Sequence, residues 1–255
     1  MKITRLLCAS DGEKCLFLPS TLERIAELRG ADVREVLFYG MEPPGEWKET
    51  LEGLSMTVRA LPSEGNEAVH ILRAVQGEEA SIVVILGNES SRERDAFPGA
   101  VLKDLVQDSP VPLLVIHENG REKSTGGLFS HVIYGTNWKE PAKKALEFLL
   151  ECRDFIVEME VVHVINEKLT VRNMRELKAK LTETRKRCLD RGIDAEAHYY
   201  AGDTAEEIVT SSRDYRGSVI TIGGITAKPL LGRLFQEEPV FGVLKQSHLP
   251  VLIVP

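Results

Sequence analysis

The 255-residue chain has few cysteines, no long apolar run and no excess of positive charge. Its four cysteines, Cys8, Cys15, Cys152 and Cys188, form no Cys-x-x-Cys pair. A metal cluster would need closer spacing and histidine partners, so they read as small apolar side chains in a reducing compartment. A cytoplasmic location is therefore expected. No window holds 18 uninterrupted apolar residues, so no membrane span is expected. The opening stretch MKITRLLCASDGEK reaches charge too soon for a signal peptide. A net charge of −7 argues against a nucleic-acid partner, whose phosphates call for a basic face. The histidines, His70, His117, His131, His163, His198 and His248, fall in no triad, zincin or nucleophile-elbow motif. There is no Gly-x-x-x-x-Gly-Lys-Ser/Thr loop either. No catalytic residue, metal site or enzymatic activity is expected.

What the sequence does contain is a diverged internal repeat. SEGNEAVHILRAVQGEEASIVVILGN (63–88) aligns without a gap to YAGDTAEEIVTSSRDYRGSVITIGGI (200–225) at an offset of 137. Gly65 meets Gly202, Ala68 meets Ala205, Ile71 meets Ile208, Ser81 meets Ser218 and Gly87 meets Gly224. Each copy reads as turn, helix, then a continuous apolar strand of the kind buried on both faces of a parallel sheet. The flanks repeat too. ITRLLCASDG and FSHVIYGTNW are first strands running into polar turns, VREVLFYG and VEMEVVHVIN are second strands, and VPLLVIH and LPVLIVP are final strands entered through proline.

The fold class that follows is α/β, with two tandem doubly wound, Rossmann-like domains. Residues 1–118 form the first, 119–128 a polar, glycine-bearing linker and 129–255 the second. The segment 171–192 has Met174, Leu177, Leu181, Thr184 and Cys188 at helical spacing and eight Lys or Arg against three Asp or Glu. It reads as an amphipathic helix with a solvated basic face. His163, within VVHVI, reads as a satisfied core or edge histidine rather than a base.

In such a sheet, ligands sit at the carboxyl ends of the strands, where strand order reverses. The residues there are Ala9, Ser10 and Asp11 in the first copy and Gly135, Thr136 and Asn137 in the second. Asp11 and Asn137 could meet a ribose hydroxyl or an adenine amine, or could cap the following helix.

These corners, the GDTAEEIV…SVITIGG block (202–224) and the terminal LPVLIVP resemble a tandem pair of universal stress protein domains. The resemblance covers nearly the whole chain, once per half. It implies two five-stranded, mostly parallel sheets of the adenine nucleotide α-hydrolase-like kind, whose last strands pair antiparallel across a pseudo-twofold axis. In ATP-binding members an acidic residue ends the first strand, a Gly-x-x-Gly loop follows the fourth, and a Gly-Ser or Gly-Thr pair opens the next helix. Such glycines let backbone N–H groups reach phosphates at a helix N-terminus.

Both copies depart from that pattern. Counting back from Pro250, the Gly-Ser position falls on Glu237-Glu238; Gly223 and Gly224 are kept, but the second loop glycine is Thr226. Counting back from Pro112 gives Gly99-Ala100, so the glycine is kept and the hydroxyl lost. The preceding loop (87–99) carries Gly87, Ser90, Ser91, Arg92 and Arg94 but no Gly-x-x-Gly. Val164 stands where the family turns backbone toward adenine. The resemblance thus implies a non-enzymatic stress-response or regulatory module with degenerate nucleotide corners. The alternative is a sensor binding AMP or ATP, with magnesium, in the N-terminal half around Asp11 and Gly99. Expected partners are the two halves themselves as an internal pseudo-dimer and a protein; further pairing of tandem chains into a homodimer is left open.

Overall fold

The computed structural model describes residues 3–10, 19–27, 32–63, 65, 68–86, 99–116, 127–225 and 238–255. The first half runs β1 (Arg5–Ser10), α1 (Pro19–Glu27), β2 (Glu35–Tyr39), α2 (Gly45–Gly53), β3 (Thr57–Leu61), α3 (Ala68–Gly77), β4 (Ile82–Leu86), α4 (Ala100–Asp108) and β5 (Leu113–Ile116). The second runs β6 (His131–Gly135), α5 (Glu140–Glu151), a 3-10 turn, β7 (Glu158–Ile165), α6 (Val171–Leu189), β8 (Asp194–Ala201), α7 (Thr204–Asp214), β9 (Val219–Gly223), α8 (Pro239–Gln246) and β10 (Val251–Val254). Most of the expected linker lies outside the described residues.

The two expected five-stranded sheets are fused into one. Strand order is β3-β2-β1-β4-β5-β10-β9-β6-β7-β8. Every neighbouring pair is parallel except β5 and β10, which run antiparallel with Val115 opposite Val251 and Leu113 opposite Ile253. The central runs IVVIL of β4, LLVI of β5 and VLIV of β10 are buried throughout, as strands covered on both faces must be. Helices α1, α2, α5 and α6 cover one face, where Ile25, Trp47, Leu149 and Leu181 meet Leu114 and Leu252. Helices α3, α4, α7 and α8 cover the other, where Ile71, Leu105, Ile208 and Val243 meet Val115 and Ile253. Both cores run through the β5–β10 seam.

The repeat is held by the same contacts in each half. Ser81 Oγ accepts from the N–H groups of Thr4 and Arg5 and donates to Arg5 O (2.9 Å). Its counterpart Ser218 accepts from His131 N–H (3.0 Å) and lies 2.9 and 3.0 Å from the carbonyl oxygens of Leu128 and His131. Ser109 and Ser247 close the approach to β5 and β10 by donating to Val111 O and Leu249 O. Gly65 and Gly202 both take positive φ, 147° and 157°, where a side chain is strained. The spacing of Leu177, Leu181, Thr184 and Cys188 buries one face of α6, as expected.

Two core hydroxyls make opposite predictions. Ser218 is fully buried and hydrogen-bonded, so Ser218→Ala should cost about 1–3 kcal/mol in denaturant unfolding. Thr221 is equally buried in β9, and its Oγ1 has no hydrogen-bond partner. Thr221→Val should therefore leave stability unchanged or raise it, and a loss like that of Ser218→Ala would refute this assignment.

Candidate functional site

In the second half strand order reverses at β6, with β7 on one side and β9 on the other. The loop leaving β6 is thus where a ligand would sit. Thr136 is buried there, and its N–H donates to Val162 O (2.8 Å), prolonging the β6–β7 ladder. Its Oγ1 accepts from Trp138 N–H (3.1 Å) and lies 3.1 Å from the Tyr134 hydroxyl. That hydroxyl also donates to Ala142 O (2.6 Å), and burial pushes the phenol up to about 12. Asn137 is exposed, and its Oδ1 accepts from Lys139 N–H (2.9 Å). Lys139 is itself the N-cap of α5, so Asn137 closes the turn into the helix rather than capping it.

Trp138 fills the space beside this turn. Its φ of 56° is a left-handed conformation rarely seen in a bulky residue. Contacts on three sides hold it. The indole packs against the His163 ring at 4.6 Å, its Nε1–H donates to Thr184 Oγ1 (3.0 Å), and Lys180 Nζ lies 5.4 Å over its ring. His163 Nδ1 donates to Thr136 O (2.8 Å). Burial, and to a lesser extent Lys180, pull this imidazole below its ordinary value, against the Thr136 carbonyl, which raises it. His163 is therefore a satisfied, packed histidine, as read from the sequence. Because Thr136 N–H bonds Val162 O, the backbone of Val164, two residues on, also turns toward the β6 side, beyond that strand's last residue.

Gly223 has a packing role. A Cβ there would lie 2.4 Å from Ala142 N and 2.5 Å from Pro141 C, inside the backbone of α5's first turn. Gly224 is less crowded, with nearest atoms at 3.4 Å on Val254 and Pro255, and its N–H donates to Val254 O (2.7 Å). Glu238 is the exposed N-cap of α8, makes no side-chain cap and is followed by Pro239 at the first helical position. That proline starts α8 one residue later, relative to its closing serine, than α4 starts. Glu237 and Thr226 lie outside the described residues.

In the first half Ala9 is buried opposite Ile85, and Ser10 ends β1 opposite Leu86. Gly99 is the N-cap of α4 and Ala100 its first residue. Asp11, Gly87 and the serines and arginines of the following loop lie outside the described residues. The sequence reading missed Trp138 and Lys180 and took Thr184 only as a core position. Three residues from a loop and one helix meet here, and only the placement of α6 beside the loop after β6 shows it. Among the described residues, no group of three or more His, Cys, Asp or Glu side chains is placed to hold a metal ion. No helix among them is long and apolar enough to cross a membrane.

This ten-stranded arrangement has close structural counterparts. A universal stress protein from Archaeoglobus fulgidus DSM 4304 superposes on 99% of this chain and 96% of its own, at 18% identity and a TM-score of 0.74. The fold is that of the universal stress proteins. A protein of unknown function from Pseudomonas aeruginosa PAO1 shares it over 99% of this chain and 93% of its own, at 14% identity and a TM-score of 0.70. No family model and no curated protein matches the sequence. The universal stress fold is thus kept at an identity where single motifs have largely drifted. In the C-terminal copy, Gly223 leaves room for the first turn of α5.

Gly223→Ala should lower stability by about 1–3 kcal/mol or more, because backbone must move to admit the methyl group. Gly224→Ala should cost much less, and thermal unfolding of both variants without nucleotide checks the difference. Equal effects would mean that Gly223 is not a packing glycine.

Proposed function

We propose that the protein is a non-enzymatic stress-response or regulatory module of the universal stress type, acting through protein contacts, whose C-terminal nucleotide corner is closed. The observation behind this is the internal use of that corner. Thr136 and Asn137 spend their side chains on the turn into α5, and Trp138 and His163 pack on each other beside it. A ligand would have to break those contacts before making its own. The Glu238 carboxylate at the start of α8 adds to the cost for a phosphate. One like-charge pair at about 4 Å costs about 4 kcal/mol at an effective dielectric of 20. A cytoplasmic location goes with this reading, since Cys152 and Cys188 are buried thiols outside any disulfide. Burial pushes Cys152 up to about 12 and Cys188 up to about 11.

One observation favours a second reading, an adenine-nucleotide sensor in the N-terminal half. The N-cap of α4 is Gly99, with no carboxylate there, where the other copy has Glu238. Asp11 would then hold the nucleoside, and AMP would suit the reduced phosphate corner better than ATP. Such a ligand would shift conformational populations rather than be turned over.

Thermal unfolding with millimolar AMP, ADP or ATP, with and without magnesium, separates the readings. Ligand at a hundred times its dissociation constant adds about 2.7 kcal/mol. The module reading predicts no shift and no product from any nucleotide. A rise abolished by Asp11→Ala would replace it with the sensor, and a rise abolished only by opening the C-terminal corner would contradict both.

A further inference from the structure

At the amino ends of the strands, away from the corner, each half carries an ionic cluster on the face covered by α3 and α7. The two clusters differ in kind. In the first half Arg5 Nε meets Glu35 Oε2 at 2.5 Å, and Arg59 Nη2 meets Glu35 Oε1 at 3.3 Å and Glu78 Oε2 at 2.5 Å. Arginine keeps its charge at any pH a protein meets, so this cluster is fixed. In the second half the register puts His131 opposite Glu158, as Arg5 is opposite Glu35, and the offset of 137 puts Tyr215 where Glu78 stands. Histidine and tyrosine have replaced arginine and glutamate.

Glu160, from β7, is the centre of this second cluster and is 7% exposed. Its Oε1 takes His131 Nε2 at 3.0 Å and its Oε2 takes His198 Nε2 at 2.8 Å, linking β6, β7 and β8. Burial pushes the Glu160 carboxyl up, but the two histidines outweigh it and hold it below its ordinary value. The other charged or titratable groups on this face can be placed. Glu158 lies on β7, with Asp194 and Glu196 of β8 in register beside Glu158 and Glu160. Tyr200 lies further along β8, and Asp214 and Tyr215 lie at the end of α7. The Tyr200 hydroxyl donates to Asp214 (3.1 Å); burial and the Asp214 and Tyr215 contacts push that phenol up, so it stays a donor.

The two histidines have different proton needs. His198 needs one N–H: Nε2 donates to Glu160, and Nδ1 faces the Tyr215 hydroxyl at 3.2 Å, which can donate to it. The Tyr215 ring stacks on it at 4.6 Å. His131 faces a carboxylate at both nitrogens, Glu160 at 3.0 Å and Glu158 at 3.3 Å. Carboxylates only accept, so both contacts are attractive only when both nitrogens carry protons.

We propose that His131 is the proton-sensing residue of a pH-dependent latch that fastens β8, the edge strand of the C-terminal half, through Glu160 and His198. The N-terminal half carries the fixed Arg5–Glu35 version at the same place. Protonated, His131 balances Glu158 and Glu160 beside Asp194 and Glu196. With one proton it can keep only the Glu160 bond; Glu158 then faces a bare nitrogen, four carboxylates on this face of β7 and β8 lack a cation from β6, and the edge loosens. The latch is therefore set where both His131 nitrogens carry protons and face the two carboxylates, and released where one does not.

Hydrogen exchange on the full-length protein across about pH 5 to 8, corrected for intrinsic amide chemistry, reads the latch strand by strand. Protection of β8 and of the Tyr215 turn should fall about tenfold as pH rises, while β1–β3 stay level. His131→Arg installs the first half's residue and should keep β8 protected throughout. His131→Gln should leave β8 weakly protected at every pH. A level β8 profile in the wild type, or an unchanged slope in either variant, overturns the proposal.

Discussion

Everything in this molecule rests on the antiparallel pairing of β5 with β10. Each strand is four residues of buried aliphatic side chains. Left alone, each would be an exposed apolar edge, the kind that pairs with any strand it meets. Joined, they bury each other and let both cores run from one half into the other. The seam also fixes the corner of the second half. β10 holds Gly224 through its Val254 carbonyl, which places Gly223 against the first turn of α5. A chain with two copies of one unit thus becomes one sheet with two weak edges, β3 and β8, both at its margins.

With the fold held by shared contacts, the copies were free to differ elsewhere. They keep the same serine pins, the same positive-φ glycine before the third helix and the same proline-led last strand. They differ at the carboxyl ends, where in the second copy Trp138 packs on His163 beside the turn after β6 and Glu238 is the N-cap of α8. They differ also at the amino ends, where the first copy pairs arginine with glutamate and the second pairs histidine with glutamate.

Much of this was legible in the sequence because continuous apolar runs and an ungapped repeat leave few alternative topologies. The strands that could be named from pattern were the buried ones. The edges β3 (TVRAL) and β8 (DAEAHYYA) alternate only weakly and carry charge, so periodicity did not set them apart. The site was less legible. A glycine that packs against a helix looks like any other in a sequence, and only the missing room around Gly223 shows that role. Asn137 had two readings, and its bond to Lys139 is a third, the turn before the cap. The Glu160 link between His131 and His198 needs the register of three strands, which no local pattern supplies.

The seam can be tested with the protein's own two tryptophans, since Trp47 lies in the first half and Trp138 in the second. Equilibrium unfolding in denaturant, followed by fluorescence in Trp138→Phe and separately in Trp47→Phe, reports each half in the intact chain. If β5 and β10 bind the halves into one cooperative unit, the two transitions will share a midpoint and slope once each variant's overall stability is matched by circular dichroism. Two separate transitions, with one half unfolding while the other remains native, would contradict the account.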